Sequence, residues 1–131
     1  MEESEYPKYF YHKLIEGIRG LAMDYEIQLT LIPSEIHWAL AHEITEEFDL
    51  YYICRLTPID AGLISEDHQS KIDELNRMLD EVEEKDLLTK EAMRDCDEWN
   101  EIRQFSRKLL EIMNEEIRPP YIRRKEDLEG E

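Results

Sequence analysis

The sequence predicts an all-α fold, a bundle of about four helices, on three observations. Apolar residues recur at steps of three and four over four long segments, only 4 Gly and 5 Pro interrupt the 131 residues, and most of those breaks fall between the segments. The alternative is an α+β fold in which residues 26–32 and 50–56 pair as a small two-stranded ribbon. Ile27, Leu29 and Leu31 alternate with Glu26, Gln28 and Thr30, and the stretch from Leu50 to Leu56 is rich in Tyr and Ile.

Phe10, Leu14, Ile18, Leu21, Tyr25, Leu29 and Ile32 share one face of a first helix, which Pro33 stops. Ser34 is placed to cap a second helix, with Ile36, Leu40, Ile44, Phe48 and Tyr51 as its apolar stripe. Thr57, Pro58 and Asp60 fit N-cap, first-turn proline and acidic third position of a short helical turn ending near Gly62. Ser65 caps a third helix, with Glu66 and Asp67 opposing its dipole and Ile72, Leu75, Leu79 and Val82 forming a two-heptad seam. Leu88, Thr89 and Met93 read as a hydrophobic staple around an N-cap, which starts a fourth helix or marks a kink between two. Cys96, Trp99, Ile102, Leu109, Met113 and Ile117 supply its buried face, and Arg118 before Pro119 and Pro120 ends it.

These segments predict one helical domain over residues 1–117, with Leu14, Ile18, Leu40, Ile44, Leu75, Leu79, Ile102 and Leu109 in its core. Residues 118–131 form a C-terminal tail with too little apolar material to fold alone. No apolar run approaches the roughly 20 residues of a bilayer span and no leader pattern opens the chain, so a cytoplasmic protein without membrane contact is expected. Cys54 and Cys96 lie far apart, outside any zinc or disulfide spacing, and are expected as buried free thiols.

Net charge is −17, and residues 66–101 alone carry 14 acidic against 5 basic side chains. Such a field repels nucleic acid phosphates and anionic lipid and attracts basic proteins. Direct nucleic-acid binding is therefore not expected, and a basic protein partner is. The expected function is a non-enzymatic binding module of the inhibitor, immunity-protein or nucleic-acid-mimic kind, which needs only rigid carboxylates opposite a basic surface. Its contacts are expected from acids off the third helix's seam and just beyond it: Asp73, Glu74, Asp80, Glu81, Glu84 and Asp95. Trp38 joins them as an aromatic anchor lying off its stripe. Arg118, Arg123, Arg124 and Lys125 belong to a tail expected to lie against its own acidic domain.

Catalytic chemistry has fewer supports. Gly17, Gly20, Gly62 and Gly130 match no phosphate-binding loop, and no Glu-x-x-His precedes any histidine as a di-iron bundle needs. His42, Glu43 and Glu46 read His-Glu-x-x-Glu, with Glu46 where a zincin carries its second histidine. Glu43 with Glu46, Glu46 with Asp49, and Glu83 with Asp86 are acidic pairs three residues apart, each on one helical face. Together these fragments are similar to the carboxylate motifs of the all-α nucleotide pyrophosphohydrolases, a resemblance that implies Mg²⁺ held by Glu43, Glu46, Asp49, Glu83 and Asp86. The separation from Glu46 to Glu83 exceeds that family's usual spacing. No cofactor is the primary expectation, and Mg²⁺ the alternative.

Overall fold

The computed structural model describes residues 2–121, and among them every regular element is helical. The four long helices are α1 (Tyr6–Ala22), α3 (Leu40–Tyr52), α5 (Glu66–Glu84) and α7 (Asp97–Ile112). Shorter pieces join them: α2 (Tyr25–Gln28), α4 (Leu56–Asp60), α6 (Lys90–Asp95) and 3₁₀ turns at Glu3–Glu5, Leu29–Leu31 and Ser34–Ala39. The central helix α1 packs on α3 and α7, and α5 packs on α7. Side chains link α5 back to α3: Tyr52 Oη donates to Asp73 Oδ1 at 2.6 Å, and the Arg55 guanidinium stacks 4.0 Å from the Tyr52 ring. All eight expected core residues are buried, in one cluster that also takes in Phe48, Met93 and Trp99. Truncating such a fully buried Leu or Ile to Ala costs about 2 to 5 kcal/mol.

The first helix ends at Ala22 instead of running on to Pro33. Its last carbonyls are satisfied by side chains instead of a further turn: Gln28 Nε2 donates to Gly20 O at 3.0 Å and Arg107 Nε to Ala22 O at 2.7 Å. The chain then turns at Met23 and Asp24, both extended. The two-stranded ribbon is absent, since residues 26–32 are α2 and a 3₁₀ turn, and residues 50–56 run from α3 into α4. The alternation around Ile27 was misleading because its buried members include a polar one. Ile27 is exposed, whereas Gln28 is fully buried and accepts from Arg103 Nε and Nη2 at 3.1 and 2.9 Å. Arg103 also donates to the Met93 carbonyl, so a buried guanidinium ties α2, α6 and α7 together.

Other boundaries shift for equally local reasons. Ser34 opens a 3₁₀ turn without capping it, Ile36 departs from helical dihedrals (φ −119°, ψ 22°), and the α-helix begins only at Leu40. Thr57 lies inside α4, which starts one residue earlier. Ser65 Oγ does accept from His68 N at 3.2 Å and Thr89 Oγ1 from Ala92 N at 3.0 Å, each capping its helix as expected. The chain kinks at Cys96, separating α6 from α7.

Three helices end in the same way. After α4, α5 and α7 the backbone enters the left-handed region at Gly62 (φ 80°), Asp86 (φ 58°) and Asn114 (φ 59°). The paired bonds of a Schellman turn follow each time: Leu63 N to Pro58 O, Leu87 N to Val82 O, and Glu115 N to Leu110 O. The last helix therefore stops at Ile112, well short of Arg118, which leaves Ile117 41% exposed instead of buried. Cys54 and Cys96 are free and half-buried, less enclosed than expected. Arg118 donates to Glu16 Oε1 and Tyr121 N to Glu16 Oε2, so the start of the tail lies on α1. Arg123, Arg124 and Lys125 lie outside the described residues.

Candidate functional site

The seam of α5 turns Ile72, Leu75, Leu79 and Val82 inward, so the residues between them are set on its two flanks. Asp73, Asp80 and Glu84 share the flank toward α3, spaced seven and four apart. Glu74 and Glu81, two turns apart, share the flank toward α7. The six acids expected to form one binding face are thus divided, and Asp95 stands apart on α6 in a pair with Arg94. Asp73 is committed to Tyr52, which the burial of the phenol and this bond hold as the neutral acid, its pKa pushed up to about 12.

On the α7 flank the two helices leave a groove of about 500 Å³. Met78 and Val82 from α5 and Ile102 and Phe105 from α7 make its apolar floor. Glu74 and Glu81 stand on one rim, Glu98 and Glu101 on the other. The floor exists because Met78 and Phe105, half-buried beside the main seams of their helices, extend the apolar surface that the buried Val82 and Ile102 begin. Arg77 bridges one rim, with Nε donating to Glu74 Oε2 at 2.9 Å and its terminal nitrogens to Glu74 and Glu81. The guanidinium holds the Glu74 carboxyl below its ordinary range, and the carboxylates in turn raise Arg77. Lys85 Nζ reaches Glu98 Oε2 at 3.6 Å from the α5 side. Glu98 and Glu101 were missed by the sequence reading, which had no signal for which helix would lie beside α5.

Trp38 is 75% exposed on the 3₁₀ turn before α3. With His42, Leu88, Thr89, Lys90 and Glu91 it lines a second hollow of about 310 Å³. The carboxylates of the Mg²⁺ alternative are spread. Glu43, Glu46 and Asp49 border a hollow of about 260 Å³ on α3. Asp80 and Glu83 approach Asp49 from α5, while Asp86 occupies the left-handed turn that closes α5. Among the described residues no group of three or more His, Cys, Asp or Glu side chains is gathered as a metal ion requires. Among them, too, no helix is long and apolar enough to cross a membrane. No family model matches the chain, and no curated protein or solved structure matches it.

Proposed function

We propose that this chain is a non-enzymatic protein-binding module that receives a basic partner on the groove between α5 and α7. The observation that carries the reading is the pairing of opposed glutamate rims, Glu74 and Glu81 against Glu98 and Glu101, over an apolar floor. Interfaces combine a desolvated apolar centre with a polar rim, and complementary charge around it speeds encounter and selects partners. A net charge of −17 adds long-range attraction for a cationic protein. Inhibitor, immunity-type and nucleic-acid-mimic proteins share this need for rigid carboxylates opposite a basic surface.

Capture of partners from a host lysate by wild type and by the double variant Glu98→Lys, Glu101→Lys tests it. Glu101 is exposed and Glu98 is half-buried in its pair with Lys85, and neither belongs to the core, so the fold should survive, as circular dichroism would verify. The expected result is a basic protein held by wild type, released as salt rises, and associating about tenfold or more slowly with the variant at low salt. An unchanged partner list with unchanged on-rates would remove the groove from consideration.

A further inference from the structure

Resting on that reading, we infer that the partner element seated in the groove is an amphipathic helix, with an apolar stripe on the floor and arginines flanking it. The floor repeats at helical intervals on both sides: Met78 and Val82 are four apart on α5, Ile102 and Phe105 three apart on α7. Two packed helices present a trough between their ridges, and a third helix with residues at i, i+3, i+4 and i+7 fills it. On α5 the groove runs from Glu74 to Val82, roughly 12 Å at the rise of a helix, which gives such an element about two turns of contact. The rims lie along both sides of this trough, so charges are met on both flanks of the incoming stripe and not at its ends.

Arginine is singled out by the groove's own chemistry. Arg77 already sets a guanidinium between Glu74 and Glu81, so this rim pair accepts the planar fork of donors that lysine lacks. Arg77 thereby acts as an internal competitor: a partner arginine that takes Glu74 and Glu81 displaces it. Its removal leaves both carboxylates open, while the side chain is exposed and belongs to no packed surface.

The test uses three synthetic peptides of about 18 residues with the full chain. One has leucines at i, i+3, i+4 and i+7 flanked by arginines, the second has the same composition in scrambled order, and the third replaces every leucine with serine. Affinities would be read by fluorescence anisotropy, and peptide helicity by circular dichroism. The periodic peptide should bind about tenfold more tightly than either control and gain helicity. Arg77→Ala should bind it several-fold more tightly than wild type, and Glu101→Lys several-fold more weakly. Equal binding of all three peptides would overturn the helix inference and leave the acidic module standing. Weaker binding by Arg77→Ala would overturn the displacement of Arg77. No binding by any peptide, or binding indifferent to Glu101→Lys, would overturn both the inference and the reading beneath it.

Discussion

Asp49 carries a carboxyl held above its ordinary range, first by burial and then by the negative charges of Asp80, Glu83 and Glu46 around it. A carboxyl raised in the folded state binds its proton more tightly there than in the unfolded chain. Its stabilising contribution is therefore complete below the unfolded value, near 3.9, and is lost as pH rises through the folded one. At neutral pH the ionised Asp49 is a standing cost. Asp49→Asn should raise the melting temperature at pH 7, and the gain over wild type should shrink to nothing as pH is lowered toward about 4. Melting curves across that range measure it, and a variant less stable than wild type at pH 7 would show that the ionised form makes favourable contacts. A buried arginine meets the same cost, since burial lowers Arg103 from its ordinary range, and here hydrogen bonds to Gln28, Asn100 and the Met93 carbonyl offset it. Arg19 and Arg103 are buried and Arg107 half-buried, and they donate to the carbonyls of Glu116, Met93 and Ala22. Nothing in the spacing of the sequence distinguishes these arginines from exposed ones, because their partners lie on other elements.

At the scale of the helix, two glycines of α1 have different reasons to be there. A Cβ on Gly17 would meet the Phe48 Cα at 2.9 Å, a collision between the backbones of α1 and α3 that no rotamer relieves. A Cβ on Gly20 would meet the Pro120 side chain at 3.7 Å and Ile44 at 3.9 Å, ordinary contact distances. Gly20→Ala should thus stabilise the protein by up to about 1 kcal/mol through helix propensity. Gly17→Ala should destabilise it by about 1 to 3 kcal/mol despite the same propensity gain. Urea unfolding of the two variants checks the pair, and equal effects would contradict the close approach of α1 to α3. What was legible in the sequence follows the same division between local and distant causes. The caps at Ser65 and Thr89 and the seam of α5 are encoded within a few residues, and they were read correctly. The ends of α5 and α7 were harder, since Asp86 and Asn114 take a left-handed position that sequence reasoning reserves first for glycine. The end of α1 was not legible at all, because it depends on Gln28 folding back and on Arg107 arriving from α7.

For the molecule as a whole, a net charge of −17 leaves a strongly acidic surface. The groove reflects this: Glu74 and Glu81 could be picked out as off-seam acids, but the opposite rim required knowing that α7, and not α3, lies on that side of α5. A surface so charged repels itself, and salt at about 0.1 M shortens the reach of each charge to about 10 Å. Raising NaCl should therefore raise the melting temperature by several degrees, given about 3 to 6 °C per kcal/mol for a chain of this size. The carboxylates Glu46, Asp49 and Glu83 make the same experiment informative about metal. Screening depends on ionic strength, whereas a specific site responds to low concentrations of its ion according to affinity. EDTA should leave the melting temperature unchanged, and MgCl₂ should do no more than NaCl of matched ionic strength. A fall of more than about 5 °C on chelation, or a rise at sub-millimolar Mg²⁺ that NaCl does not reproduce, would mean that these acids converge on an ion, and that the enzyme alternative should be preferred to a binding module.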